Sequence, residues 1–204
     1  APHPFVADFD GNKVGESKDL LEGEPYECPM LPFGGVEQLA WSPDSKQIAY
    51  TCRKLSGLDY AISTDSDIYL YDLESGSVKN LCKPEGYVRP ACDPTRSLKH
   101  QAVNKFKEDV NAGYDQNPQF SPDGKYIAWS SMERDGYESD RTRLCIYEFA
   151  TGTKTYVTES FESGVNEFAW AADNNTLYFS GVWHGRTNLY QTNLKGEVKQ
   201  ITDD

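Results

Sequence analysis

Short apolar runs alternate with polar residues along most of the chain, and one such run occurs in three copies. The copies read WSPDSKQIAY at residues 41–50, FSPDGKYIAW at 120–129 and WAADNNTLYF at 170–179. An apolar residue, a set of turn-forming residues and an alternating apolar stretch follow one another in each copy, which is the pattern of two strands joined by a tight turn. Proline restricts φ, while aspartate and glycine accept the bent backbone that follows. The run predicts a β-hairpin, whose repeated positions are Trp41, Pro43, Asp44, Phe120, Pro122, Asp123, Trp170 and Asp173.

Each copy continues into a second predicted hairpin. Gly76, Gly152 and Gly196 mark its turn, between a strand rich in Tyr or Leu and an outer strand of alternating polarity. The full copies span residues 37–81, 116–158 and 166–202. Because each copy holds four short runs rich in Ile, Val, Tyr, Phe and Thr, it predicts a four-stranded antiparallel meander.

Tandem four-stranded units of this length are the signature of a β-propeller. The sequence therefore predicts an all-β fold, a partial β-propeller of about three and a half blades with one inserted short helix. The predicted parts are the end of a preceding blade and a linker at residues 1–33, a blade at 34–82, an insertion at 83–115, and two further blades at 116–160 and 161–204. Residues 97–110 of the insertion have a helix-forming composition.

The repeated aromatic position predicts how the blades pack. Trp41, Phe120 and Trp170 are expected on or beside the inward strand of each blade, with apolar residues packing blade against blade. An incomplete arc also leaves apolar faces and strand edges open at its two ends. The isolated chain is therefore expected to associate with itself through exposed blade edges.

Composition narrows the classes of partner. The chain carries 32 acidic and 20 basic side chains, for a net charge of -12. Its field repels phosphate backbones and anionic lipid, so neither nucleic acid nor a membrane surface is an expected partner. The sequence also contains no run of about 18 apolar residues that would predict a transmembrane helix.

The five cysteines show no C-x-x-C spacing, which argues against a zinc ribbon or a thioredoxin-type site. Cys52 and Cys145 lie inside strand-like runs and are predicted to be buried thiols. Cys82 and Cys92 bracket a short loop, and their pairing stays open.

The motifs of several enzyme classes are absent from the sequence. It contains no G-x-S-x-G nucleophile elbow, no H-E-x-x-H, no phosphate loop and no dinucleotide fingerprint. The histidines His3, His100 and His184 are interpreted as surface or turn residues. Asp65 and Asp67 could offer oxygens to a hard cation, but the Gly and distal Glu of a calcium loop are missing. No catalytic residue, metal or cofactor is predicted in this chain.

Two acidic connections occur at equivalent places, between the second and third predicted strands of the first two copies. The first connection is residues 53–67 and the second connection is residues 132–143. The second carries mixed charges, among them Glu133, Arg134, Asp135, Asp140 and Arg141. The favoured interpretation is a solvated loop held by salt bridges. The alternative is a surface that faces a partner domain or a substrate chamber.

The three hairpins resemble the propeller repeats of TolB-like proteins and of the N-terminal domains of prolyl oligopeptidase family serine peptidases. Longer phrases, such as PMLPFGGVEQLAWSPDSKQIAYTCRK and SMERDGYESDRTRLCIYEFATGTK, look like bacterial dipeptidyl aminopeptidase or acylaminoacyl-peptidase relatives. This resemblance implies a parent chain with a C-terminal α/β-hydrolase domain that carries a Ser-Asp-His triad. It further implies peptide substrates and export to the periplasm.

The function expected from the resemblance is that of a non-catalytic propeller segment of a serine exopeptidase. Such a segment would gate peptide access and dock on the α/β-hydrolase domain of the same parent. The alternative is a TolB-like propeller module for protein–protein interaction.

Overall fold

The computed structural model describes residues 1–89 and 110–203. The strands are β1 (Phe5–Phe9), β2 (Val14–Asp19), β3 (Leu39–Trp41), β4 (Gln47–Cys52), β5 (Asp67–Asp72), β6 (Val78–Asn80), β7 (Asp115–Phe120), β8 (Tyr126–Ser131), β9 (Arg143–Glu148), β10 (Thr153–Tyr156), β11 (Val165–Trp170), β12 (Thr176–Trp183), β13 (Arg186–Asn193) and β14 (Lys199–Gln200). A 3-10 turn, Val36–Gln38, precedes β3, and the α-helix α1, Gly57–Ile62, lies between β4 and β5.

The described strands form three four-stranded antiparallel sheets and one two-stranded sheet. Blade I is β3–β6, blade II is β7–β10 and blade III is β11–β14, and each sheet follows chain order as a meander. The half blade, β1 paired with β2, precedes them. The prediction of an all-β partial propeller of about three and a half blades is confirmed.

The repeated phrase forms the first hairpin of each blade, and its turn is closed by side chains as well as backbone. Ser42 and Ser121 each donate a hydroxyl hydrogen bond to the aspartate two residues later, at 2.6 and 2.7 Å. Asp123 also accepts the backbone N–H of Lys125 at 3.1 Å. Gly124 has a φ of 71°, the left-handed backbone that glycine adopts without steric cost.

The first strands of neighbouring blades contact each other, β3 with β7 and β7 with β11. Phe120 is half-buried between blades I and II and stacks on Phe149, with ring centroids 5.9 Å apart. Trp170 is also half-buried and donates its indole N–H to the carbonyl of Gln119 at 3.0 Å. Trp41 is 54% exposed. All three residues lie on the face that points toward the preceding blade, and Trp41 is more exposed because only the half blade precedes blade I.

In blades I and II, side chains alternate along each strand between two faces, and the two faces contribute to two different cores. Between blades I and II, Ile68 and Leu70 pack with Ile127 and Trp129. Between blades II and III, the packed residues include Leu144, Ile146, Leu177, Phe179 and Tyr190. On the other side of blade I, Tyr50 and Tyr69 pack against Leu20, Leu21 and Cys28, which follow the half blade. Successive side chains of a strand point to opposite faces, so the central strands of blades I and II each contribute to two cores.

The face of blade III that points away from blade II is open. Tyr178, Val182 and Leu189 lie on this face and are 40%, 43% and 40% exposed. Their neighbours in sequence, Leu177 and Tyr190, are buried against blade II. Blade III therefore has one face that packs against blade II and one free face that exposes apolar side chains.

The predictions for the helix, the cysteines and the histidines have different outcomes, and some of them concern residues outside the described ranges. The predicted helix at residues 97–110 lies almost wholly outside the described residues, as do Cys92 and His100. The α-helix that the structure describes, α1, instead lies in the first connection. Cys52 and Cys145 are buried within β4 and β9, as predicted. Among residues 1–89 and 110–203, no helix is long and apolar enough to cross a membrane.

Candidate functional site

The first connection, from blade I, meets the second connection, from blade II, and Asp135 joins them. One carboxylate oxygen of Asp135 accepts the hydroxyl of Ser63 at 2.6 Å and the backbone N–H of Thr64 at 2.9 Å. The contact is reciprocal, because Gly136 donates its N–H to the hydroxyl oxygen of Thr64 at 2.9 Å. Residues more than 70 positions apart in sequence are thereby held in one hydrogen-bonded unit.

A buried lysine lies behind this contact. The Nζ of Lys83 is 2.9 Å from Asp65 Oδ1 and 2.7 Å from Asp67 Oδ1, and it also donates to the carbonyl of Asn111. The side chains of Lys83 and Asp65 are 4% and 5% exposed. A buried ammonium is tolerated only where anionic groups and hydrogen-bond acceptors surround it, and these three acceptors provide that environment.

The pKa values of the buried groups follow from burial and from the ammonium. Burial raises the pKa of Asp65 to about 6, against the opposing effect of the Lys83 charge. Burial alone would lower the pKa of Lys83, but the carboxylates of Asp67 and Asp65 outweigh it and raise the pKa. At neutral pH the lysine is therefore protonated and the Asp65 carboxylate is ionised.

Arg89 links the buried lysine site to the surface contact. Its Nη2 lies 2.6 Å from Asp135 Oδ2, and its Nε lies 3.6 Å from Asp65 Oδ2. Asp135 therefore binds the first connection through one oxygen and Arg89 through the other. We call the set Asp65, Asp67, Lys83, Arg89 and Asp135 the ion network.

Asp115, at the start of β7, is buried beside this network. Its Oδ1 accepts the indole N–H of Trp129 at 2.8 Å, and burial raises its pKa. Ligand atoms of Asp67, Cys82 and Asp115 lie within 4.8 Å of one another and could hold a metal ion by distance. Burial, however, raises the pKa of Cys82 well above its usual value, and Asp67 already binds the ammonium. These donors already have partners within the fold: Asp67 binds the Lys83 ammonium, Asp115 accepts from Trp129, and the Cys82 sulfur accepts the backbone N–H of Ile68.

The other predicted site residues lie around the second connection. Arg134 binds Asp140 through both its side chain and its backbone N–H, and Arg141 lies 3.2 Å from Glu159. Glu133 is exposed and lies 4.0 Å from Arg143. Of the five predicted residues, Asp135 reaches the first connection through its side chain, and Arg134 reaches it through its backbone carbonyl, which accepts the Thr64 hydroxyl at 3.4 Å. His184 lies in the exposed turn between β12 and β13, and His3 lies 2.7 Å from Asp19.

Two cavities open beside the joined connections. One, of about 410 Å³, is lined by Ile62, Ser63, Thr64 and Tyr137 among others. The other, of about 570 Å³, is lined among others by Met30, Pro32, Gln116 and Asn117. Arg53, Tyr114 and Glu138 line both cavities. These volumes lie in the range of small-ligand sites.

Sequence reasoning missed Lys83, Arg89 and Asp115. Lys83 and Arg89 fall in or beside the predicted insertion, where no repeat pattern assigns a direction to a side chain. Only a weak feature of the sequence pointed to Lys83. Lys83, three residues after the outer strand of blade I, lies 18 residues from Asp65 in sequence, and only sheet pairing brings the two together.

No protein-family model matches the chain. A curated relative, dipeptidyl-peptidase 5 from Porphyromonas gingivalis, is 44% identical over 202 residues, which make up 98% of this chain and 26% of that protein. The protein of the same name from Porphyromonas endodontalis is 43% identical over 203 residues, 99% of this chain and 26% of that protein. The chain thus spans about a quarter of the length of these curated relatives.

Solved structures share the fold. TolB from Acinetobacter baumannii superposes with a TM-score of 0.54 at 21% sequence identity, covering 98% of this chain and 37% of that one. Similarity at this identity shows the propeller fold alone, since one fold supports many functions. The resemblance to TolB-like repeats is confirmed at the level of architecture.

Proposed function

The chain is a propeller segment homologous to the dipeptidyl-peptidase 5 proteins, and from this premise we propose that it is the non-catalytic part of a serine-type dipeptidyl peptidase. In this proposal it gates the access of peptides and docks on an α/β-hydrolase domain of the same parent chain. The observation that carries the proposal is the 44% identity over nearly the whole chain.

The motifs of the sequence support the proposal that catalysis and control of access lie in different parts of the parent chain. The sequence contains no G-x-S-x-G elbow, and the relatives are about four times longer than this chain. A nucleophile, a base and an acid would then come from a different part of the parent. The division into blades at residues 34–82, 116–160 and 161–204, with 83–115 as an insertion, belongs to the same proposal.

The joined connections support the gating part of the proposal. A gate needs loops that keep their position, because a disordered rim would not discriminate between peptides of different size. The ion network ties the first connection to the second through Asp135 and Arg89. We therefore assign the rim of the access path to these two connections and the cavities beside them.

The test uses the parent protein and this chain side by side. We expect the parent to hydrolyse a dipeptidyl chromogenic substrate and an unfolded peptide, to leave a folded protein intact, and to be blocked by a serine-directed inhibitor. The 204-residue chain should hydrolyse none of them.

Two results would contradict the proposal. One is inhibitor-sensitive turnover by the isolated chain, which would place the catalytic groups within it. The other is a parent protein that is folded but inactive on every dipeptidyl substrate tried.

Export to the periplasm is the remaining part of the proposal, supported by the resemblance to exported peptidases. Cell fractionation of the parent in its native host, with a cytoplasmic marker enzyme as control, tests it. The interaction-module alternative has no supporting observation beyond the shared fold, because the TolB neighbour is 21% identical.

A further inference from the structure

Arg53 is a half-buried arginine at the junction of the two cavities. It follows β4 directly, and its Nη1 donates to the carbonyl of Ser63 at 2.9 Å. Its guanidinium carbon lies 4.1 Å from the centroid of the Tyr60 ring. The backbone carbonyl and the aromatic ring hold the guanidinium in one place, which reduces the conformational entropy that a ligand would have to remove.

No carboxylate lies within 4.0 Å of this guanidinium among the described residues. Arg89, Arg134, Arg141 and Arg143 all have such a partner. The Nε of Arg53 is buried without a hydrogen-bond acceptor in the described part of the chain, as are Nη1 of Arg89 and Nε of Arg143, so the missing carboxylate is what distinguishes Arg53 from those two. A buried donor without an acceptor is uncommon in folded proteins and calls for a physical explanation.

Two acidic residues near this site, Glu27 and Glu138, accept hydrogen bonds from tyrosine hydroxyls. Tyr60 donates its hydroxyl to Glu27, and Tyr114 donates to Glu138 at 3.4 Å. Both tyrosines also adjoin the guanidinium of Arg53. The two phenol groups thus separate the arginine from the carboxylates, and the positive charge stays available at the cavities.

We infer that Arg53 binds a carboxylate of a peptide that enters these cavities. A guanidinium matches a carboxylate because it offers two parallel N–H donors to two oxygens. A single fixed cation in a chain of net charge -12 suits a singly charged group better than a phosphate dianion. The peptide nature of the ligand rests on the function proposed above, whereas the carboxylate rests on the geometry of Arg53 alone.

The first test needs no variant. Calorimetric titration of the chain with acetyl-Ala-Glu-amide, acetyl-Ala-Gln-amide and acetyl-Ala-Ala free acid compares a side-chain carboxylate, its neutral isostere and a terminal carboxylate. We expect at least one acid to bind about tenfold more tightly than the Gln peptide, since a charge-assisted pair is worth about that ratio. The acid that binds identifies the source of the carboxylate. Equal binding of all three peptides, or tighter binding of inorganic phosphate, would overturn the inference.

The second test uses matched variants. Arg53→Gln should abolish the preference for the acid, while Arg186→Gln, at the exposed first residue of β13, should keep it. Thermal unfolding checks that each variant is folded, and Arg53→Lys, which keeps the charge, should keep part of the preference. An acid preference that survives in folded Arg53→Gln protein would overturn the inference.

The outcomes separate this inference from the proposed function. A parent that hydrolyses dipeptidyl substrates, together with a chain that shows no acid preference, would overturn the Arg53 site alone. An acid preference in the chain, together with an inactive parent, would overturn the peptidase proposal alone.

Discussion

Lys83 compensates the charge of two buried carboxylates, Asp65 and Asp67, which lie where the first connection leads into β5. Asp65 and Asp67 precede and begin β5, and their side chains converge on the ammonium at 2.9 and 2.7 Å. Two carboxylates this close would repel each other without a cation between them. The lysine therefore determines whether the first connection can hold the position in which it meets Asp135.

Replacing Lys83 by methionine tests this account of the buried charge. The change keeps most of the volume but leaves Asp65 and Asp67 buried without a cation, so we expect the free energy of unfolding to fall by about 3–5 kcal/mol. Urea unfolding at pH 7 measures it. The control is Lys125→Met, because Lys125 is 75% exposed where it pairs with Asp123 and should cost less than about 1 kcal/mol. Equal losses in the two variants would contradict the role given to Lys83.

Strand alternation explains why blade III has both a packed face and an open face. In β12, Leu177 and Phe179 point into the core shared with blade II, whereas Tyr178 and Val182 point away from it. One element thus presents two apolar faces, of which the described chain covers one. Such doubly apolar strands are typical of sheets that are packed on both sides.

Two leucines of blade III allow the contributions of its two faces to stability to be compared. Leu177 is fully buried and Leu189 is 40% exposed, although they lie on neighbouring strands. We expect Leu177→Ala to lower the free energy of unfolding by about 2–5 kcal/mol because it opens a cavity in the core between blades. Leu189→Ala should lower it by about 1 kcal/mol or less. Chemical unfolding of the two variants checks this, and a larger loss at Leu189 would mean that the free face is covered in solution.

The described molecule is an arc whose two ends differ. At one end the half blade leaves Phe5, Phe9 and Val14 exposed, and at the other the free face of blade III exposes Tyr178, Val182 and Leu189. In a ring, the faces at the two ends of an arc would be covered by further blades. Relatives about four times as long as this chain have residues that could supply them.

Association of the isolated chain through these end faces stays a prediction. We expect its weight-average mass in sedimentation equilibrium to rise with concentration, since apolar faces and free strand edges favour pairing. Val182→Lys and Leu189→Lys should reduce the association by placing charge on the free face of blade III. Glu74→Lys, in the exposed turn between β5 and β6 and away from this face, is the control. A clean monomer at high concentration would contradict the prediction.

The sequence by itself determined the repeat, the hairpins and the order of strands. Spacing and turn chemistry are local, so Asp44, Asp123 and their glycine or serine neighbours predict the bend wherever the blades lie. Net charge and missing motifs likewise needed no structure. The mixed charges of the second connection also predicted its ion pairs, such as Arg134 with Asp140, whereas its role at a partner domain or a substrate chamber stays a proposal.

Only the tertiary structure decided which charged groups meet. Ser63 and Asp135 are 72 positions apart, and Arg89 and Asp135 are 46 apart, so no local pattern relates them. Their contact depends on how blade II packs against blade I, which is set by the apolar side chains between the blades rather than by the charged residues themselves. The separation of Arg53 from Glu27 is likewise a matter of packing, because the Tyr60 ring lies against the guanidinium and its hydroxyl binds Glu27.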